Sequence, residues 1–275
     1  MSHLTRRHFL AGTLASGLTP LLADPLGMPI GFQTYPLEKQ IAQDCPAALK
    51  EMAAAGYRTL ELCSPHSYSG GFAALAKHSA QELRAIIHDA GLSCQSCHYQ
   101  FKELKENLPE RIGYAKQIGI KYMILSSFGK LEDSLDTWAR AAADLNKVAE
   151  NAKGSGIQIG FHNHHGEFKS INGTLIYDKL MSELDPKLVK MQFQVAVISA
   201  GFKAADYFKK YPGRFCSIHL ADWSATEKKT VALGKGAVDW PELFASAKKA
   251  GVKNYFVEMN PQLMKDSVTY LHSLK

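Results

Sequence analysis

From Met28 onward, short apolar runs alternate with longer amphipathic ones. IGFQTY gives way to DCPAALKEMAAAG, whose apolar positions recur at helical spacing and which closes on Gly56. YRTLELC passes through a Gly/Ser loop into SAQELRAIIHDAG, where Ser79 stands as N-cap and Gly91 as stop. LSCQSCHYQ precedes LPERIGYAKQIG, KYMILSSF precedes SLDTWARAAADLNKVAENAKGSG, and IQIGFHNH precedes TLIYDKLMSEL. LVKMQFQV then leads to FKAADYFKKYPG. RFCSIHLAD enters a longer polar excursion before WPELFASAKKAG, and NYFVEMN leads to PQLMKDSVTYLHSL. Eight strand-helix units in about 250 residues, with no linker composition between them, predict a single-domain (β/α)8 TIM barrel over 28–275. A doubly wound open sheet would need a Gly-rich phosphate loop after its first strand, and none is there.

In such a barrel, alternate strand residues face the helices and the barrel axis. In IQIGFHNH the outward set is Ile157, Ile159 and Phe161, which turns Gln158, Gly160, His162 and His164 inward. RFCSIHLAD points Cys216, Ile218 and Leu220 outward and Phe215, Ser217 and His219 inward. LVKMQFQV turns Gln192 and Gln194 in, NYFVEMN turns Phe256 and Glu258 in, and RTLELC turns Thr59 and Glu61 in. His162, Gln194, His219 and Glu258 therefore sit at the mouth ends of four consecutive strands, where barrel enzymes carry their active sites. Converging buried polar groups are costly unless paired, and a divalent cation satisfies imidazole, amide oxygen and carboxylate together. These four are the expected metal ligands. Glu61, His98 and His164 are expected around them, and His165, of opposite parity, at the rim.

The pieces FHNHHGEF, HLAD, LGKGAVDW and FVEMN carry a family resemblance. From about Met28 to Lys275 the chain resembles the xylose isomerase-like TIM barrels, in particular the sugar phosphate isomerase/epimerase group. That resemblance implies one divalent ion (manganese, zinc or cobalt) held at His162, Gln194, His219 and Glu258. It also implies a sugar, keto-sugar or glycoside as substrate. His162 and Gln194 depart from the carboxylates usual in the epimerases, which leaves Glu258 as the sole anionic ligand. Ala221 stands where many relatives carry lysine. A one-face reaction follows: a base removes the proton beside a polarised carbonyl, giving an enediolate. Glu258 and His164 are the expected proton carriers, with Glu61, His98 and Glu167 binding substrate. Isomerisation or epimerisation is the leading expectation, with a keto-sugar or glycoside lyase or hydrolase as the alternative. A non-catalytic sugar-binding barrel with a decayed metal site, Gln194 being the symptom, is the third reading.

The N-terminus is set apart. MSHLTRRHFLAGTLASGLTPLLAD has a basic start, an apolar middle and small residues before Asp24. Arg6-Arg7 followed by Phe9-Leu10 resembles the twin-arginine export signal, with cleavage expected near Ala23. Residues 1–23 are thus expected to direct the chain to the periplasm or beyond, already folded. Loss of Arg6 and Arg7 lowers the formal charge of +6 by two, and the remainder is dispersed, which argues against nucleic-acid partners and membrane insertion after cleavage. Homo-oligomerisation stays open. The five cysteines are scattered and odd in number, unlike a disulfide framework. CQSCH (94–98) has the spacing of a haem attachment motif, but alternation along a strand would send Cys94 and Cys97 to opposite faces.

Overall fold

A computed structural model describes residues 24–131 and 134–274; the proposed export signal, 1–23, lies outside the described residues. Eight parallel strands close into a barrel: β1 (Gly31–Gln33), β2 (Thr59–Cys63), β3 (Ser93–Tyr99), β4 (Tyr122–Leu125), β5 (Gln158–His162), β6 (Val189–Gln194), β7 (Phe215–Leu220) and β8 (Asn254–Val257). Each strand pairs with its sequence neighbours, and β1 with β8 completes the ring. The chain is a (β/α)8 barrel.

The helices follow the periodicity. α2 (Ala80–Asp89) begins with a capping box in which Ser79 and Glu82 exchange side-chain and backbone bonds. α1 (Glu38–Ala55) starts earlier than its apolar spacing predicts, and it breaks at Asp44 (φ −157°, ψ 93°). The Asp44 carboxylate accepts the Ala47 N–H at 2.9 Å, and Pro46 falls in the turn that follows. The expected start is thus a cap inside a longer, kinked helix. None of the described helices is long and apolar enough to cross a membrane.

The barrel interior below the mouth is filled, and glycine makes the room. A Cβ on Gly31 would lie 2.6 Å from both the Phe256 ring and the Tyr255 carbonyl oxygen. One on Gly160 would lie 2.5 Å from Ile124. These two inward positions have no space for a side chain because bulky neighbours cross the axis.

Two bulges correct the simple alternation. Between β2 and β3 the register runs Leu60 with Cys94, then Glu61 with Ser96. Gln95 is the extra residue, so Cys94 and Cys97 lie beside Leu60 and Leu62 on the same, outer face, both buried. Between β6 and β7, Met191 pairs with Phe215 and Gln192 with Ser217. Phe215 therefore faces outward, its ring 4.8 Å from that of Phe208 on α7 (Ala204–Lys210). Cys216 turns inward, toward Gly160. A bulge shifts every residue on one side of it by one face.

The excursion after β7 is fastened by one carboxylate. Asp222, 1% exposed, accepts backbone N–H groups from Trp223, Gly234, Gly236 and Val238 and the indole N–H of Trp240. A Cβ on Gly236 would reach 2.2 Å from Asp222 Oδ1. The HLAD and LGKGAVDW pieces thus share a physical reason, a buried anion gripped by a folded loop.

Candidate active site

Four histidines and three carboxamides gather at the C-terminal mouth around a fully buried carboxylate. Glu61, 0% exposed on β2, accepts hydrogen bonds from Gln33 Nε2 (2.7 Å), Ser96 Oγ (2.5 Å), Gln192 Nε2 (2.8 Å) and His219 Nε2 (2.5 Å). His98 Nε2 lies 3.1 Å away. Parity explains the convergence: these residues all occupy inward positions of β1, β2, β3, β6 and β7 in one register layer or the next.

The network fixes a tautomer. Gln192 Nε2 donates to Glu61 and to Ser217 Oγ, so its carbonyl oxygen is the acceptor at 2.6 Å from His98 Nε2. His98 therefore carries its proton on Nε2 and keeps a lone pair on Nδ1.

His98, His162 and His219 form a tight group. Each offers a ligand atom, all within 4.8 Å of one another, and all three side chains are buried. Ring centroids stand 5.0 Å apart for His98–His162, 5.1 Å for His98–His219 and 4.5 Å for His162–His219. His162 Nδ1 is buried with no hydrogen-bond partner among the described residues. Three buried imidazoles this close, one with an orphaned nitrogen, offer the kind of donor set that a divalent cation such as zinc takes.

Charges in the site are set by opposing effects. Burial pushes His162 well below the ordinary imidazole range, and the neighbouring His219 and His98 push the same way, so it is neutral with its lone pair free. Burial also opposes the charge on His219, but Glu258 and Glu61 outweigh it and raise His219 to about 9. Burial works against both carboxylates as well. Facing histidines nevertheless hold Glu61 well below, and Glu258 below, the usual carboxylate range. Without a metal, a protonated His219 sits between two carboxylates.

Glu258 follows β8 and is the carboxylate of this network with solvent access, at 19% of its side chain. Gln194 Nε2 (2.6 Å) and His219 Nδ1 (2.9 Å) both bond to its Oε2, and Oε1 has no hydrogen-bond partner among the described residues. His164 stands on the rim after β5, its ring 4.7 Å from His162. Burial of its ring by neighbours lowers its pKa, and Glu258 only partly offsets this.

The structure brings together His162, His219, Glu258 and Gln194 of the expected ligand set, but in different roles. His98 takes the third place in the histidine group. Gln194 turns its amide N–H to Glu258, and its oxygen accepts the Ala196 N–H at 3.2 Å. Glu61 lies beneath the histidines, sealed from solvent, so it has no face for a substrate hydroxyl. Glu167 is buried in the turn after β5, where its carboxylate accepts the His164 N–H at 2.7 Å. His165 bonds Ser199 Oγ (2.8 Å) and the Ala196 carbonyl (3.1 Å), pinning neighbouring loops. Gln33 and Gln192 escaped sequence reasoning as site residues. Their inward parity was the available signal, but an amide alone does not announce chemistry.

A model of the xylose isomerase-like TIM barrel family matches residues 49–274. The chain belongs to that family. Among curated relatives, an inosose dehydratase of Clostridium perfringens is 27% identical over 190 residues, 63% of this chain and 62% of that enzyme. The chain thus spans less than two thirds of that relative's length. An inosose dehydratase of Geobacillus thermodenitrificans is 24% identical over 242 residues, 76% of this chain and 79% of its own. A sugar phosphate isomerase/epimerase of Parabacteroides distasonis superposes with a TM-score of 0.73 at 24% identity, covering 90% of this chain and 95% of that one. The IOLI protein, solved with a zinc atom bound, superposes at 0.59 with 16% identity, covering 90% and 95%. At these identities the structural likenesses establish the fold.

Proposed function

We propose that this family member is a divalent-metal-dependent enzyme acting on a sugar or cyclitol that bears a ketone. In this reading it removes the proton beside the carbonyl and expels the substituent on the next carbon. The observation that carries the proposal is the buried group His98, His162 and His219, with the orphaned His162 Nδ1, set beside one solvent-accessible carboxylate. His98, His162 and His219 would hold the ion. When bound, a divalent cation supplies the positive charge that polarises a carbonyl.

The chain's own groups do the rest. Glu258, ionised at neutral pH and partly open to solvent, takes the C–H proton on Oε1, since Oε2 is engaged by Gln194 and His219. The released electron pair forms the new C=C bond as the β-oxygen leaves with its electrons and takes up the proton that Glu258 removed. Gln194 holds Glu258 in place by its 2.6 Å bond, and the sealed floor of Glu61, Gln33 and Gln192 excludes water from below. Elimination is favoured because Glu61 is sealed from solvent, which leaves Glu258 as the accessible carboxylate of this network among the described residues. The dehydratase activity of the relatives agrees with it.

His164 carries a second reading. It stands on β5's loop, across the mouth from Glu258, and its lowered pKa leaves it neutral at pH 7. Returning the proton from that side would give isomerisation or epimerisation. The test is a panel of keto-cyclitols, ketoses, aldoses and keto-glycosides incubated with and without zinc, manganese or cobalt. Metal-dependent loss of water or of an aglycone supports elimination, and ketose–aldose exchange supports the second reading. Absence of any reaction in metal-loaded protein counts against both.

We also propose action after export, on the strength of Arg6-Arg7 and the apolar stretch behind them. Replacing both arginines by lysine should then hold the protein in the cytoplasm, as read by cell fractionation.

A further inference from the structure

The rim of the mouth on the side away from His164 carries an aromatic cluster that the proposed chemistry does not use. Tyr35, two residues beyond β1, is the exposed large hydrophobic side chain among the described residues, at 54%. Its ring stacks on that of buried Phe72, with centroids 6.3 Å apart and planes 13° apart. Tyr68 meets Tyr35 edge-on at 6.4 Å and Phe72 at 5.9 Å. The Tyr35 ring is therefore held from behind and from one side, with its remaining surface open to solvent.

Its backbone is tied to the site. Gln33 Oε1 accepts the N–H of Thr34 at 2.5 Å and of Tyr35 at 3.1 Å, while Nε2 of the same side chain donates to Glu61 at 2.7 Å. One amide thus sets both the floor of the site and the take-off of the loop that bears Tyr35. β1 also pairs directly with β8, the strand that leads into Glu258. The aromatic cluster and Glu258 thus follow neighbouring strands at the same end of the barrel.

A single exposed tyrosine is ordinary on a protein surface. One stacked into place at an active-site mouth is a preorganised flat apolar surface. A pyranose ring offers the complement: C–H groups on its face, hydroxyls around its edge. We propose that Tyr35, backed by Tyr68 and Phe72, is the platform for a second sugar ring, so that the substrate is a glycoside rather than a free monosaccharide. The inference rests on the sugar-directed reading above and narrows it. The ring on Tyr35 carries the leaving oxygen, and the ring beside Glu258 reacts.

The test is calorimetric binding of glucose, maltose and cellobiose to the metal-loaded full protein, its Tyr35→Ala variant and its Tyr35→Phe variant. At least one disaccharide is expected to bind about tenfold more tightly than glucose to the parent protein, a gain typical of one aromatic contact. Tyr35→Ala should bring that ratio to about one, and Tyr35→Phe should keep it, since the ring and not the hydroxyl makes the surface. Equal affinities for glucose and both disaccharides, or a ratio that survives Tyr35→Ala, would overturn the platform. Binding needs no turnover, so a protein that eliminates nothing in the substrate panel still reports on the platform. One that turns over monosaccharides with no disaccharide preference keeps the function and loses the platform. Thermal melting of both variants checks that the fold is intact.

Discussion

Glu61 Oε2 lies 2.5 Å from His219 Nε2, and neither side chain has any exposed surface. The contact joins the floor of the site to its histidine group, and Glu61 accepts three further donors around it. Glu61→Gln keeps the shape but replaces an acceptor oxygen by an amide NH2 donor facing those donors. A loss of roughly 3–5 kcal/mol in stability is expected, the usual result of stripping one partner from a buried charged network. Urea unfolding of metal-free protein measures it; a change below about 1 kcal/mol would show that the network is slack.

His219 ties metal binding to protons. Its pKa of about 9 leaves it protonated at pH 7.5 in metal-free protein, while Glu61 and Glu258 are ionised and His162 is neutral. Zinc binding at that pH should therefore release about one proton, seen as a dependence of calorimetric enthalpy on the buffer's ionisation enthalpy. The sign for stability follows from the same shift. A folded pKa raised above 6.5 gives stability that is complete below 6.5 and disappears as pH climbs through about 9. Metal-free protein should melt at a lower temperature at pH 10 than at pH 7, and the drop should be smaller in His219→Gln, where the buried cysteines, raised by burial, still contribute.

Gly31→Ala tests the filled barrel. The added methyl meets the Tyr255 carbonyl oxygen and the Phe256 ring, both at 2.6 Å, and a backbone oxygen cannot step aside. A destabilisation of about 1–3 kcal/mol is expected from chemical denaturation. An unchanged midpoint would mean that β1 and β8 part more readily than their pairing implies.

Asp222→Ala removes the acceptor of five donors at once. The excursion between β7 and α8 (Trp240–Ala250) should loosen, with new protease cleavage in 225–236 and a stability loss of roughly 3 kcal/mol. Retention of the parent's cleavage pattern would show that the Gly-rich turn folds without its anchor.

Much of this was legible in the sequence, for a physical reason. Alternation along Gln158–His162, Val189–Gln194 and Asn254–Val257 separates the helix-facing apolar set from the inward polar set, so the mouth residues follow from parity alone. The bulges at Gln95 and beside Phe215 were not legible, because they arise from how neighbouring strands register. They overturned the expected opposition of Cys94 and Cys97 and the expected faces of Phe215 and Cys216. Parity also places Gln194 at the mouth without fixing which end of its amide turns inward. Glu258, an acceptor, draws the nitrogen. His98 enters the histidine group because the Gln192 carbonyl holds its Nε2 proton, a bond between residues 94 positions apart.

The most direct test of the metal-centred account is equilibrium zinc binding to three proteins: the parent, His98→Ala and Gln194→Ala. The account predicts about one ion per parent chain, at least a tenfold loss of affinity in His98→Ala, and a smaller loss in Gln194→Ala, which acts through Glu258. Zinc that fails to bind the parent, or that is lost with Gln194 and kept without His98, would contradict it.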